Sequence, residues 1–194
     1  MKSFALVGPM QCGKDTVAEY FVNKLTHKRI ALADELKIEA CHMLNCSGDG
    51  KEYDIDYINK KKEEFRPFLQ WWGEHRRSED PYYWINKIKY KMSWYPNTSF
   101  VITDARYTNE LNYLSNNNFI IIRIEAERGL LDSNYEKSGM TPETIQKALS
   151  HVSERQWKTF QPDLTVRNGY GMLDSVIKTI SEWVGCNSSS TLID

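Results

Sequence analysis

The segment 8–14, with the sequence GPMQCGK, places two glycines and a lysine at the spacing Gly-x4-Gly-Lys. Glycines let backbone N–H groups turn toward phosphate oxygens, and the start of a following helix adds partial positive charge. Lys14 would reach the phosphoryl group that is transferred. The alternative is an ordinary glycine-rich turn, but a predicted strand before the loop and a helix after it favour phosphate binding. The candidate ATP-binding residues are Gly8, Gln11, Cys12, Gly13, Lys14, Asp15 and Thr16.

The residue after the lysine departs from the usual pattern, in which Ser or Thr coordinates magnesium. Here Asp15 follows Lys14, and Thr16 comes next. Asp15 either faces Mg²⁺, directly or through water, or interacts favourably with the positive end of the helix. Asp104 follows the apolar run 99–103, where a carboxylate at the end of a strand would orient magnesium; its alternative role is a helix cap. The sequence therefore predicts Mg²⁺ as the cofactor, with Asp15, Thr16 and Asp104 as candidate ligands.

The elements that must position these residues alternate along the chain. Apolar runs predict strands over 2–7, 29–32, 99–103, 119–122 and 163–167. Helical periodicity between them predicts helices over 14–26, about 34–44, 82–94, about 108–117 and about 172–184, and the charged segment 59–64 predicts the start of another. This alternation predicts an α/β fold with a mostly parallel sheet and helices on both faces. The polar segment 126–150 carries two glycines and a proline, which favours a mobile lid. We expect one domain over residues 1–186 and a disordered tail over 187–194.

Composition excludes several classes of protein. The chain has 194 residues and a net charge of −1, which argues against an extended nucleic-acid-binding surface. No apolar run is long enough to cross a bilayer. Its four cysteines form no CxxC pair, so neither a disulfide framework nor a zinc site is expected. A cytoplasmic protein that binds neither membranes nor nucleic-acid polymers is therefore predicted.

A second cluster of chemically capable residues lies between 66 and 84. Arginines there could bind a phosphate through two parallel hydrogen bonds, and aromatic rings could stack on a base. Tryptophans are more often part of a core, and the adjacent Trp71 and Trp72 cannot share one helix face. At least one of the two is therefore expected to point away from the core.

Several motifs occur in the order found in phage-type deoxynucleoside monophosphate kinases, which this chain resembles over about residues 2–182. They are GKDT at 13–16, ADELK at 33–37, LQxxG at 69–73 with Arg77, YW at 83–84, DAR at 104–106 with NE at 109–110, HVSE at 151–154 and NG at 168–169. The resemblance implies the three-layer P-loop kinase fold, an acceptor-binding region over about 34–95 and a lid over about 126–150.

The resemblance also implies a function and a set of site residues. The activity would be transfer of the γ-phosphate of ATP to a deoxynucleoside monophosphate, in a monomer or a homodimer. Catalysis would involve Lys14, Asp104, Arg106 and Arg128, with Arg128 closing from the lid. Asn168 and Gly169 would lie near the adenine of ATP. The acceptor would be bordered by Asp34, Lys37, Arg66, Gln70, Trp72, Gly73, Arg77 and Trp84.

Two alternatives stay open. Phosphomevalonate kinase of the animal type shares the GKD of the loop, the WGE of 72–74 with Arg77, the dipeptide DP at 80–81 and an Asp-x-Arg strand end. Glu74 favours this alternative, whereas Gln70 and the aromatic segment 82–84 favour a nucleotide. The other alternative is a non-catalytic nucleotide-sensing module, although such a sensor would need no arginine-rich second site.

Overall fold

The computed structural model of the chain describes residues 2–48 and 50–188. The chain divides into two compact units, a larger one formed by the segments up to Arg29 and from Ser99 onward, and a smaller one, Ile30–Thr98. Among the described residues, no helix has both the length and the hydrophobicity needed to cross a membrane. The prediction of a single kinase domain over 1–186 stays a prediction.

The larger unit contains a five-stranded sheet in the order β2-β3-β1-β4-β5, in which all neighbouring strands are parallel. The predicted parallel sheet is thus confirmed. Parallel strands place their carboxyl ends along one edge, where open α/β sheets bind ligands. The strands are β1 Ser3–Val7, β2 Lys28–Arg29, β3 Phe100–Ile102, β4 Phe119–Ala126 and β5 Leu164–Asn168.

Helices cover this sheet because its strands are apolar toward both faces. Phe4 and Leu6 of β1 pack in one cluster with residues of α1 (Lys14–Leu25) and α10 (Leu173–Ser188). Ala5 alternates with them and is also fully buried, and α6 (Thr108–Asn116) packs against β4. The predicted three-layer P-loop kinase fold is therefore confirmed.

The smaller unit is helical. It consists of α2 Leu32–Asn45, α3 Ile55–Lys60, α4 Lys62–Glu79 and α5 Tyr83–Ser93. Its core contains Ala40, Cys41, Ile58 and Leu69. The sequence predicted helices near 34–44 and 82–94, and the structure extends the helix expected at about 59–64 into two helices.

The predicted lid is folded into helices α7 Arg128–Lys137 and α8 Pro142–Ser150, and neither helix contains a fully buried residue. A further helix, α9 Ser153–Thr159, was not predicted. The predicted tail begins at Asn187, which belongs to α10, and its residues 189–194 lie outside the described residues. Movement of the lid stays a prediction.

Candidate phosphoryl-transfer site

The loop between β1 and α1 has a backbone that requires its two glycines. Gly8 has φ +151°, and a Cβ there would lie 2.4 Å from Ile124 O. Gly13 has φ +94°, and a Cβ there would lie 2.5 Å from Asn168 Nδ2. Residues with an L side chain rarely adopt such backbone angles. At both positions a Cβ would also lie too close to neighbouring atoms. The Gly-x4-Gly spacing therefore reflects two close approaches of other strands to the loop.

Lys14 lies inside this loop. Its ammonium donates hydrogen bonds to Pro9 O at 2.7 Å and Gly8 O at 3.0 Å, and to Cys12 Sγ at 3.6 Å. The residue is only 7% exposed, and burial lowers the pKa of Lys14. A buried ammonium enclosed by backbone is a site for an anion, because a phosphate would supply the missing negative charge.

Side chains from outside the loop bind three consecutive loop carbonyls. Asn168 Nδ2 donates to Cys12 O at 2.9 Å, Asn134 Nδ2 to Gln11 O at 2.9 Å, and Tyr135 OH to Met10 O at 3.2 Å. Asn168, expected near the adenine, thus contacts the phosphate loop itself. Its neighbour Gly169 lies against Glu127, whose Oε2 would be 2.5 Å from a Cβ at that position.

The candidate metal ligands lie in the larger unit at the start of α1 and the end of β3. Asp15 Oδ1 accepts a hydrogen bond from Thr103 Oγ1 at 2.8 Å, and Asp104 is the next residue. The described residues include no cluster of three or more His, Cys, Asp or Glu that could hold a metal. Mg²⁺ bound with ATP needs only one or two carboxylates besides phosphates and water, so these oxygen donors fit it. The roles of Asp15, Thr16 and Asp104 stay predictions.

Arg106 is held close to these carboxylates. Burial lowers the pKa of Arg106, and the charges of Asp104, Glu110 and Asp15 oppose that shift. Its guanidinium forms an ion pair with Glu154 of α9, which is 5% exposed and has one buried oxygen, Oε2, without a hydrogen-bond partner among the described residues. The loop after β3 is thereby fastened to α9.

Two further contacts fix that loop. Glu110 Oε2 accepts hydrogen bonds from the backbone N–H groups of Arg106 at 2.9 Å and Tyr107 at 3.1 Å. Gln156 Oε1 of α9 accepts one from Thr108 N at 3.2 Å. Carboxylates that bind free N–H groups stabilise the start of a helix, here α6.

Arg128 is the first residue of α7 and differs from Arg106 in its surroundings. Its side chain is 95% exposed, and its one ion-pair partner among the described residues is Asp132, at 3.8 Å. An exposed pair of this kind contributes little to stability, so the guanidinium is available to another anion. Closure of Arg128 on a phosphate stays a prediction.

In the smaller unit, the three cations expected to border the acceptor each have an acidic neighbour on the same helix. Lys37 lies 3.8 Å from Asp34. The other two pairs are Arg66 with Glu63, at 2.9 Å between Nε and Oε2, and Arg77 with Glu74 at 3.7 Å.

Gly73 and Gln70 lie on the same helix, α4, as these arginines. A Cβ at Gly73 would be 3.2 Å from Arg77 Nη1, so the glycine leaves room for that guanidinium. The partly buried amide of Gln70 has no hydrogen-bond partner in the part of the chain that the structure describes. Such an amide can bind a ligand without losing an existing contact.

The two predicted acceptor-binding tryptophans take part in the packing of the smaller unit. Trp84 is 2% exposed and its indole N–H donates to Gly73 O at 3.2 Å. Trp72 is 8% exposed and donates to Glu39 Oε2 at 3.2 Å, with the Arg76 guanidinium 4.4 Å from the centre of its ring. Direct contact of either ring with an acceptor stays a prediction.

The expectation that one of the adjacent tryptophans points away from the core agrees with the structure. Trp71 is 56% exposed and its ring is stacked on His75, with the centroids 5.5 Å apart. Trp72 occupies the buried position. The separation follows from the helical period, which turns neighbouring side chains by about 100°.

Sequence reasoning missed Glu39, which binds several polar side chains of the smaller unit. It accepts hydrogen bonds from Tyr83 OH at 2.5 Å and Lys87 Nζ at 2.8 Å. Burial alone would raise the pKa of Glu39, but the hydrogen bonds from Lys87, Tyr83 and Trp72 outweigh it and lower the pKa. Its position four residues after Glu35, on one face of α2, was the available signal.

Sequence reasoning also assigned no role to Glu154, Asn134 or Tyr135. For Glu154, the signal was its place in the HVSE motif of the resemblance. For Asn134 and Tyr135 the sequence offered no signal, since both lie in a polar segment expected to be a lid.

Comparison with known proteins agrees with this geometry. A family model described as phosphomevalonate kinase matches residues 6–119. Among solved structures, the chain is similar to shikimate kinase from Acinetobacter baumannii in complex with shikimate, with 14% identity, a TM-score of 0.60, and coverage of 100% of this chain and 96% of that one. It is also similar to dephospho-CoA kinase from Campylobacter jejuni, with 18% identity, a TM-score of 0.53, and coverage of 95% and 98%. No curated protein sequence matches the chain significantly.

The parallel sheet and the loop around Lys14 define a P-loop fold, and the family model makes the protein a phosphotransferase of the kinase type. Because the family model covers more than half of the chain, the particular family is also clear. The chain belongs to the phosphomevalonate kinase family.

Proposed function

We propose that the protein is an ATP-dependent kinase whose acceptor is a phosphate monoester, specifically a deoxynucleoside 5′-monophosphate. An oxygen of the acceptor phosphate forms a bond to the γ-phosphorus of ATP while the bond from that phosphorus to the β-γ bridging oxygen breaks. The products are a deoxynucleoside diphosphate and ADP. Positioning and charge neutralisation supply most of the rate in such reactions, so no nucleophilic side chain is needed.

The observation that carries the donor half of the proposal is the position of Lys14. Its ammonium is buried within the loop against Gly8 O and Pro9 O. The carbonyl oxygens accept the hydrogen bonds of the ammonium but carry no net negative charge to balance it. The oxygens of a triphosphate would therefore bind there favourably. Glycines at 8 and 13 let the loop lie against Ile124 and Asn168, and they permit the backbone angles that turn N–H groups toward such oxygens.

The acceptor half rests on the cations of the smaller unit. Lys37, Arg66 and Arg77 are paired with carboxylates three residues away on their own helices, and the side chains of these three cations are 17%, 25% and 20% exposed, respectively. Pairs of this kind contribute only about 0.2–0.5 kcal/mol each. A doubly charged phosphate can therefore replace the carboxylates at small cost and gain bidentate hydrogen bonds from arginine.

The nucleotide, as opposed to another phosphate monoester, is favoured by Gln70. An amide offers one acceptor and two donor hydrogens, which matches the mixed edge of a nucleobase. In this structure the amide has no partner among the described residues, on the same helix as Arg66 and Arg77.

The remaining residues would act on the transferring phosphate. Bound with ATP, Mg²⁺ supplies neutralisation of phosphate charge, and the oxygen atoms of Asp15, Thr16 and Asp104 would hold it. Arg106, oriented by Glu154, would stabilise the charge of the phosphoryl group. Arg128, the first residue of α7, would add a further positive charge near the phosphates and help to exclude water from the site.

Mevalonate 5-phosphate is the second candidate acceptor, supported by the family model over residues 6–119. The chemistry at the acceptor phosphate is the same, so Lys37, Arg66 and Arg77 would serve either substrate. The two candidates differ in the group attached to that phosphate, and hence in the use of Gln70.

An assay of ADP release distinguishes the candidates. The panel contains dAMP, dGMP, dCMP, dTMP, the corresponding ribonucleotides and mevalonate 5-phosphate, each with ATP and magnesium. We expect turnover with at least one deoxynucleotide, reduced roughly 100-fold or more in Lys14→Met, the matched control. Turnover of mevalonate 5-phosphate alone would replace the acceptor assignment and leave the P-loop kinase assignment in place. Absence of ATP binding would contradict both.

A further inference from the structure

We propose that Asn134 and Tyr135 of α7 are positioning residues that orient the peptides of the phosphate loop for ATP. The inference rests on the proposed ATP site and adds to it two residues that no sequence motif indicates. It also assigns α7 a fixed role in donor binding, in place of the mobile role expected for the whole segment 126–150.

The contacts of the two side chains are consecutive along the loop. Tyr135 OH donates to Met10 O at 3.2 Å, and Asn134 Nδ2 donates to Gln11 O at 2.9 Å. Asn168 continues the series from β5 by donating to Cys12 O at 2.9 Å. Three successive carbonyls of the loop are thus directed toward the surrounding helix and strand.

The direction of a carbonyl determines the direction of the next N–H group. In a trans peptide the two groups point in opposite directions, and none of the described peptide bonds is cis. The N–H groups of Gln11, Cys12 and Gly13 are therefore directed away from α7 and β5. Cys12 N accordingly donates across the loop to Pro9 O, at 3.4 Å.

Lys14 occupies the same side of the loop. Its ammonium also contacts Pro9 O, at 2.7 Å, so the Cys12 N–H group and the lysine converge on the same side of the loop. N–H groups that converge in this way form an anion-binding concavity. The side chains of α7 thus keep the donors of the loop directed at the place where phosphates would bind.

The conformation of Gln11 explains why such support is needed. Gln11 has φ +66°, a left-handed backbone conformation that is unfavourable for a residue other than glycine. A strained residue persists only where its surroundings determine its conformation. The hydrogen bond from Asn134 to Gln11 O supplies that constraint at the strained residue itself.

α7 is attached firmly enough to act as a support. At its N-terminal end, Glu127 N donates to Asn168 O at 2.8 Å, and Leu131 packs against the core cluster of the sheet. Burial raises the pKa of Tyr135, so its hydroxyl remains a donor at neutral pH. The helix is therefore held by the sheet, and the loop is held by the helix.

The chain contains a matched control for the test. Asn112 and Tyr113 form the same Asn-Tyr dipeptide in α6, and no hydrogen bond among the described residues joins their side chains to the loop. The variants Asn134→Ala, Tyr135→Phe and their combination are compared with Asn112→Ala, Tyr113→Phe and their combination. Titration calorimetry measures binding of ATP and of inorganic tripolyphosphate to each full-length variant.

We expect each α7 substitution to weaken ATP and tripolyphosphate by the same factor, about fivefold to tenfold. The α6 variants should bind both ligands as the wild type does. Melting temperature and acceptor KM should stay unchanged in the α7 variants, which a general loss of structure would not allow.

Three results would overturn the inference. If the wild type binds ATP and the α7 double variant binds it equally well, the positioning role is wrong and the proposed function is unaffected. If ATP affinity falls only together with the melting temperature, the two residues stabilise the fold and do not orient the loop. A wild type that binds neither ligand would contradict the ATP site and the inference together.

Discussion

Thr103 Oγ1 donates a hydrogen bond to Asp15 Oδ1 at 2.8 Å, joining the end of β3 to the first turn of α1. Asp15 occupies the position where most phosphate loops carry the hydroxyl that binds magnesium. This hydrogen bond orients the Asp15 carboxylate through Oδ1. The second oxygen, Oδ2, takes no part in the contact. Asp104 follows Thr103 directly, so one short segment could both orient one carboxylate and supply another.

The first prediction concerns this pair of carboxylates. Asp104→Asn should reduce turnover about 10-fold to 100-fold and raise the magnesium concentration needed for half-maximal activity, because a charged ligand is lost. Thr103→Val, which only releases Asp15, should raise that concentration about fivefold. Activity measured against magnesium concentration tests both, with Thr165→Val on β5 as the control. An unchanged magnesium dependence in Asp104→Asn would exclude Asp104 as a ligand.

The second prediction concerns Lys14. Lys14→Met should reduce kcat/KM roughly 100-fold or more, because the ammonium would stabilise the transferring phosphoryl group. Lys24→Met, at the exposed end of the same helix, should have no such effect. Activity of Lys14→Met near the wild-type value would contradict the phosphate-loop assignment.

The stability of Lys14→Met follows from the sign of the pKa shift. Burial lowers the pKa of Lys14 below its value in the unfolded chain. Below the pKa of Lys14 in the folded state, the charged lysine therefore lowers the free energy of unfolding. This loss decreases as the pH rises above that pKa and is gone above the pKa of the unfolded chain. At neutral pH the melting temperature of Lys14→Met should not be lower than that of the wild type. Thermal unfolding at pH 7 checks this point.

The third prediction concerns the ion pair of Arg106 and Glu154. Glu154→Gln should destabilise the protein by roughly 2–3 kcal/mol, because the largely buried guanidinium loses its counter-charge. Glu136→Gln, an exposed carboxylate on α7, should change stability little. Denaturant unfolding measures both values.

A double-mutant cycle separates this pair from its surroundings. Arg106→Gln combined with Glu154→Gln should cost less than the sum of the single changes, by about 1–3 kcal/mol. Additive costs would mean that the two side chains do not interact in solution.

The fourth prediction distinguishes binding of the acceptor phosphate from binding of the group attached to it. Arg77→Ala should weaken every accepted phosphate monoester by a similar amount, about 2–5 kcal/mol if the site is desolvated, because charge does not depend on the base. Gln70→Ala should act unequally among bases, with a spread of about 1–3 kcal/mol. Acceptor titrations at saturating ATP provide the comparison.

The structural alternative gives a different pattern for these two variants. If Arg77 and Gln70 only stabilise α4, both substitutions should lower the melting temperature and leave acceptor KM values unchanged. A uniform loss in Gln70→Ala together with turnover of mevalonate 5-phosphate would favour the second candidate acceptor.

The sequence by itself determined the fold class and the phosphate loop, because both depend on local patterns. Seven residues contain the whole Gly-x4-Gly-Lys spacing, and the strands and helices beside it follow from the periods of apolar residues over short windows. The boundaries of β1 and α1 accordingly lie within a residue or two of those predicted. The helical period also separated Trp71 from Trp72.

Only the tertiary structure decided what surrounds that loop. Asn134, Tyr135 and Asn168 contact loop carbonyls from positions more than a hundred residues away in the chain. Periodicity shows that a side chain lies on a buried face, but the packing of whole elements determines what it meets there. The ion pair of Glu154 with Arg106 depends on the packing of α9 beside the loop after β3. Neither position indicates the other in the sequence.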